Sequence, residues 1–175
     1  VDRVARDARL VVRAQLGDRR ALAELVSHWH EPLWRYVRRM TGNPDDVTQQ
    51  AWAAALGSLP RLREPERFAP WLFTIARRAL TDQLRLGYAL PEPLESDIPD
   101  DRDAVDDVLD RAQVTEGLGG LPPPDREVIE LFHLQDLSLH ECAEVLAVPV
   151  GTVKSRLHRA RRLLRDHLIA KGYES

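Results

Sequence analysis

Between Val150 and His167 six side chains are Lys or Arg and one is Asp, in a chain whose formal net charge is −3. The run reads VGTVKSRLHRARRLLRDH, and its chemistry is that of a polyanion receptor. Cationic groups spaced along one helix neutralise backbone phosphates and release the counterions condensed on them. Val150, Val153, Leu157, Ala160 and Leu164 return at three- and four-residue steps, so this stripe must face other helices. Lys154, Ser155, His158, Arg159 and Arg162 then fall on the opposite side. Gly151 and Thr152 are short enough to let the start of the helix approach a phosphate closely. The N-terminal part of such a helix is the portion that reaches base edges in a major groove.

A helix that reads a groove needs a partner to hold it. The preceding segment, SLHECAEVL, opens with Ser138 and carries Glu141 three residues on, a capping box. It buries Leu139, Cys142, Ala143 and Leu146, and a turn of three residues, AVP, leads to Pro149 and the basic helix. A short capped helix, a tight turn and a basic helix in that order are the signature of a helix-turn-helix. One helix earlier, LPPPDREVIELFHL opens at Pro124 and Asp125 and offers Val128, Ile129, Leu131, Phe132 and Leu134 to a core.

The first half of the chain is helical by the same test. Leu10, Leu16, Leu22, Leu25, Val26, Trp29, Leu33 and Val37 recur at helical spacing, with breaks or kinks expected at Gly17-Asp18 and at Glu31-Pro32. In TGNPDD, Gly42 ends one helix, Asn43 is placed to cap the next, and Pro44, Asp45 and Asp46 suit a first turn. Three prolines interrupt SLPRLREPERFAP, after which helical periodicity runs from Trp71 to about Leu86. Residues 60–86 hold six Arg against three acids, interleaved with Phe68, Trp71 and Phe73. Arg beside aromatic rings suits single-stranded nucleic acid, where rings stack on bases and guanidinium groups hold phosphates. On a helical wheel Trp71, Leu72, Ile75 and Ala76 cluster, which turns Trp71 towards a core. The Pro-rich loop from Arg61 to Arg67 is the segment free to build a pocket for an unpaired base.

Residues 86–112 contain nine acids, two bases and three prolines, the composition of an extended, self-repelling tether. The fold class expected is therefore all-α: two small helical domains joined by an acidic flexible linker, the C-terminal one a helix-turn-helix. The boundaries expected are 1–86, 87–112 and 113–175. The chain has 175 residues, 43% apolar, with no apolar run near the ~20 residues that span a bilayer. Its single cysteine, Cys142, cannot form an internal disulfide. A cytoplasmic protein without a membrane partner is the expectation. Enzymatic chemistry has no footing: there is no Gly-rich phosphate loop, nucleophile elbow or metal-ligand spacing. His28 and His30 lie two apart on a helix and point to different sides, as do His140 and Cys142. No cofactor or metal is expected.

These segments resemble a bacterial RNA polymerase sigma factor of the extracytoplasmic-function (ECF) group, in the sigma-70 family. DDVTQQAWAAAL resembles its core-polymerase-binding helix, FAPWLFTIARRALTDQLR the helix beside the −10 element, and LSLHECAEVLAVPVGTVKSRLHRARRLL the −35-binding helix-turn-helix. The resemblance implies core polymerase binding through Asp45, Asp46, Gln49, Gln50 and Trp52. It implies −10 binding through Arg61, Arg63, Arg67, Phe68, Trp71, Arg77, Arg78 and Arg85, with an unpaired base held in the Arg61–Arg67 loop. It implies −35 duplex binding through Thr152, Lys154, Ser155, Arg156, His158, Arg159 and Arg162. The partners it implies are core RNA polymerase, promoter DNA and, as in many proteins of the group, an anti-sigma factor.

Five positions depart from the family's wording. Gln50 and Trp52 stand where an acid and Phe are usual, Arg78 where Asn is usual, Phe132 where an Arg often touches the −35 element, and Ala147 where the turn commonly has Gly. The competing reading is a stand-alone helix-turn-helix regulator whose N-terminal half senses a ligand or partner. The region from 45 to 86 discriminates the two, because a sensor has no use for a polymerase-docking helix followed by an Arg-and-aromatic segment.

Overall fold

The computed structural model describes residues 2–87 and 111–172, and every regular element among them is helical. They gather into two compact units, one within residues 1–90 and one within 91–175. The acidic stretch expected to act as a linker lies, but for its ends, outside the described residues. No helix among the described residues is long and apolar enough to cross a membrane.

The first unit contains α1 (Arg3–Gln15), α2 (Arg19–Met40), α3 (Pro44–Ser58) and α4 (Phe68–Gly87), with two single 3₁₀ turns, Leu59–Arg61 and Pro65–Arg67, between the last two. The break at Gly17 is real: the residue takes φ +92°, and Asp18 follows as the N-cap of α2, accepting from Arg20 N and Ala21 N. These backbone bonds, with Arg13 at 2.6 Å, hold the Asp18 carboxyl below its usual range.

The break expected at Glu31-Pro32 does not occur, since α2 runs through Pro32. The ring removes a bond to the carbonyl of His28, a residue on the exposed face. Buried Leu25, Trp29, Leu33, Tyr36 and Val37 on both sides of it hold the helix together through that loss. Asn43 also behaves differently from expectation. It sits at the N-cap of α3, but its Nδ2 donates to Asp46 Oδ2 at 2.7 Å and its side chain caps no backbone N–H.

The core of this unit is aromatic. Phe73 meets Trp29 edge-on at 5.9 Å and Tyr36 at 5.2 Å, a geometry that places positive ring edges against negative faces. Trp29 Nε1 donates to the buried Asp7 Oδ2 at 3.0 Å, and Arg6 holds the other carboxylate oxygen, so α1 is tied to α2 by a satisfied polar contact. Leu16, expected on the apolar stripe, is 84% exposed because the helix has already ended there.

The second unit contains α5 (Arg111–Gly117), a 3₁₀ turn (Leu118–Gly120), α6 (Pro123–Ile129) closing in a π turn (Glu130–Leu134), α7 (Leu139–Leu146) and α8 (Val150–Ala170). α6 begins one residue before the Pro124 expected, with Pro122 as its N-cap. The Ser138 capping box forms in both directions, Glu141 N to Ser138 Oγ at 3.2 Å and Ser138 N to Glu141 Oε2 at 2.7 Å. α7 closes on Ala147 at φ 54°, ψ 43°, with Val148 N bonded to Ala143 O, so the left-handed turn is kept without glycine. α5 approaches α8 so closely that a Cβ on Gly117 would overlap the Leu164 side chain.

Both positions give stability tests. Ala147→Gly should raise the urea midpoint by the equivalent of about 0.5–1 kcal/mol, the left-handed penalty less the freedom glycine adds to the unfolded chain. Gly117→Ala should lower it by about 1–3 kcal/mol, as overpacking does. Equilibrium unfolding followed by helical ellipticity measures both.

Candidate nucleic-acid interface

On α8 the buried residues are Val153, Leu157, Ala160, Leu164 and Leu168. That stripe sets the rotation of the helix and turns Lys154, His158 and Arg162, each four residues from the next, into solvent. Gly151 is exposed with them, while Thr152, Ser155 and Arg156 are half-buried. Ser155 Oγ donates to the Thr152 carbonyl at 3.0 Å, a bond that a hydroxyl exchanges readily for a phosphate oxygen. Lys154 and Arg162, with His158 between them, form a cationic edge on a helix whose N-terminal turn is open, the arrangement a major groove admits.

Arg159 needs revision. Its Nε donates to Asp125 Oδ1 at 2.8 Å, and Asp125 is 1% exposed. A carboxylate that deep requires a cation, so Arg159 fastens α8 to the start of α6. A second tie lies at the far end of α6. Arg161 Nε donates to His133 Nε2 at 3.1 Å, and its guanidinium lies 5.4 Å over the Phe132 ring. Burial, with the Arg161 charge beside it, holds the His133 imidazole below the ordinary histidine range, consistent with a ring nitrogen that accepts. The position where Phe132 departs from the family's usual Arg therefore supports an Arg that belongs to α8.

In the first unit Arg61, Arg63, Arg78 and Arg85 are exposed, and Arg67 and Arg77 are half-buried. Of the two aromatic residues that the resemblance implied for −10 binding, Phe68 is closed off and Trp71 is left partly open. Phe68 is 2% exposed, packed against Trp29 at 6.2 Å and Trp71 at 5.7 Å, and has no face for a base. Phe73 is likewise buried. Trp71, expected in the core, is half-buried instead, because Leu72, Phe73, Ala76 and Leu80 take the inward stripe of α4. Trp71, Arg78 and Arg85 recur every seven residues and so share one outer face. The aromatic ring available for stacking is Trp71.

On α3, Asp45, Asp46, Gln49 and Gln50 are exposed. Asp45 Oδ1 accepts from Trp34 Nε1 at 2.8 Å, which joins α2 to α3 across the surface. Trp52 is only 9% exposed, so it is not a free surface ring. It lines an apolar groove of about 680 Å³ between α2 and α3, together with Val26, His30, Trp34, Gln49 and Leu56. Buried Trp52 Nε1 and Thr48 Oγ1 have no hydrogen-bond partner among the described residues.

Cys142 is buried, and burial followed by the neighbouring Glu141 charge pushes its thiol up to about 12. No cluster of His, Cys, Asp or Glu among the described residues could hold a metal ion.

Two helical units, the second a helix-turn-helix with a solvent-facing cationic edge, define a DNA-binding transcription protein. Its family follows from comparison. Residues 25–86 match sigma-70 region 2, and residues 111–164 match sigma-70, region 4. The chain is 32% identical over 162 residues to the ECF RNA polymerase sigma factor SigC of Mycobacterium tuberculosis, covering 89% of this chain and 87% of the relative. It is 31% identical over 183 residues to the ECF RNA polymerase sigma-E factor of Haemophilus influenzae, covering 93% and 95% respectively. Among solved structures, that of CnrH in complex with the cytosolic domain of CnrY matches with a TM-score of 0.65 at 29% identity, covering 94% of this chain and 98% of that one. The chain belongs to the ECF sigma factors of the sigma-70 family, which direct promoter-specific transcription initiation by RNA polymerase. A ligand-sensing N-terminal half is set aside, because region 2 occupies that part of the chain.

The Asp125–Arg159 tie predicts a stability defect rather than a pure recognition defect. Arg159→Ala should cost about 2 kcal/mol, the low side of what breaking a buried pair costs because Arg159 is partly solvated. Unchanged stability with lost DNA binding would instead make Arg159 a reader.

Proposed function

We propose that the two units divide promoter recognition as follows. The outer surface of α3, with the groove between α2 and α3, docks core RNA polymerase through Asp45, Asp46, Gln49 and Gln50, with Trp52 forming the groove wall. The loop from Arg61 to Arg67 receives an unpaired −10 base, while Trp71, Arg78 and Arg85 track the strand beside it. α8 enters the −35 major groove and reads it with Lys154, Ser155 and His158, and Arg162 holds a phosphate. In this division residues 1–86 form the core-binding and −10 unit, 113–175 the −35 unit, and the acidic residues between them a tether.

The observation that carries this reading is the exposed edge of Lys154, His158 and Arg162 on a helix rotated by its own core and preceded by a fully formed capping box. A tether of this length raises the effective concentration of one element once the other is bound, so neither contact need be strong alone. An anti-sigma factor is a further proposed partner. A solved relative of the same fold, RpoE of Bartonella quintana, was captured with the anti-sigma factor NepR.

Run-off transcription with bacterial core polymerase on a pooled genomic template, with and without the chain, is the deciding experiment. Promoter-directed transcripts should depend on the chain, and their absence at every template would reject the reading. Binding of the holoenzyme to a recovered promoter should weaken steeply with salt. For the −35 contacts, Arg162→Ala should make the log–log salt slope shallower by about 1, one phosphate's worth of counterion release, whereas Lys154→Ala should relax base preference at −35. His158→Ala should alter base preference at −35 more than it alters the slope.

A further inference from the structure

Gln15 is the last residue of α1 and carries nothing that the sequence marks as functional. Its Nε2 donates to the Leu59 carbonyl at 2.9 Å and to the Leu62 carbonyl at 2.8 Å. An amide nitrogen has two N–H groups, one for each acceptor, and the side-chain oxygen could make neither bond. The two carbonyls belong to the first turn after α3, which is otherwise closed by a single bond from Leu62 N to Leu59 O at 3.1 Å. A residue 44 and 47 positions earlier in the chain thus adds two side-chain bonds to that turn.

The turn is the near side of the loop that presents Arg61 and Arg63. Both side chains are exposed, and α1 packs against both 3₁₀ turns of the loop. The far side is anchored separately by Phe68, buried against Trp29. Gln15 itself is held in place, because α1 stops at Gly17 with φ +92° and the Arg13–Asp18 pair at 2.6 Å closes the corner. Between these anchors Leu62, Arg63 and Glu64 cross from one turn to the next outside either of them.

We infer that Gln15 is a positioning residue for −10 recognition: by fixing the Leu59 and Leu62 carbonyls towards α1, it sets where Arg61 and Arg63 stand when an unpaired base arrives. The inference rests on the proposed role of the Arg61–Arg67 loop. A recognition loop discriminates bases only if its geometry is fixed before the base arrives, because an adaptable loop accepts several bases at similar cost. α1, which has no assigned contact with DNA, would then influence base choice from behind the loop.

The test uses holoenzyme assembled from bacterial core polymerase and the full chain, on duplex templates randomised across the −10 element and read by sequencing the transcripts. Gln15→Met keeps length and removes the donor, and Gln15→Lys restores a donor able to reach both carbonyls. Gln15→Met should flatten discrimination at the base held by the loop by roughly five- to tenfold, about the worth of one neutral hydrogen bond. Preference on templates randomised at −35 should stay unchanged, and Gln15→Lys should recover most of the lost discrimination.

Unchanged −10 preference in Gln15→Met, or a uniform loss of transcript from all templates, overturns the inference. A double Arg61→Ala, Arg63→Ala variant separates the two levels of the argument. If it too leaves −10 preference intact, the loop reading itself fails. If it alters preference while Gln15→Met does not, only the role of Gln15 is lost. Melting of Gln15→Met followed by ellipticity establishes that the variant is folded.

Discussion

The rotation of α8 about its own axis governs the recognition surface. Val153, Leu157, Ala160, Leu164 and Leu168 are buried, and a helix offers one circumference to divide between core and solvent. With the apolar stripe committed, the exposed positions of Lys154, His158 and Arg162 follow without further design. Each element around α8 serves that setting. α7 is stopped by Ala147 in a left-handed conformation so that α8 can leave at the required angle, and α5 comes close enough that only a glycine fits at 117. The cationic edge is what the core leaves over, which is why it is regular.

Buried carboxylates provide the second layer of control. Asp125 on α6 and Asp7 on α1 are both almost fully enclosed, and each is engaged by an arginine, Arg159 and Arg6 respectively. An unpaired carboxylate at that depth is strongly disfavoured, so each acid dictates where a helix may sit relative to its neighbour. In the second unit this turns one of the arginines on the recognition helix inward. The basic run is therefore not uniform: some of its charges face outward and others hold the helix from which they project.

Much of this was legible because the signals are local. The capping box spans four residues, the helix stripes repeat within a few turns, and both can be read from spacing alone. Contacts between distant segments were not. Arg159 and Asp125 are 34 residues apart, and Gln15 lies 44 and 47 residues from the carbonyls it holds. The wheel cluster on α4 placed Leu72 and Ala76 in the core correctly but carried Trp71 in with them, although it stands at the cluster's edge and is half-buried. Pro32 shows the other limit, a local breaker overruled by burial on both sides of it. Trp52 falls on one helical stripe with Val47, Ala51 and Leu56, but the groove it walls arises only where α2 and α3 meet.

The enclosure of Cys142 has a practical corollary. A thiol buried beneath α7 and held near 12 stays protonated at neutral pH and resists alkylating reagents while the fold is intact. Since it is the chain's lone cysteine, the native sequence already serves as a silent background for site-directed labelling. A dye attached through a new cysteine on each unit would report their separation directly, free and on polymerase, without first rebuilding the core around position 142.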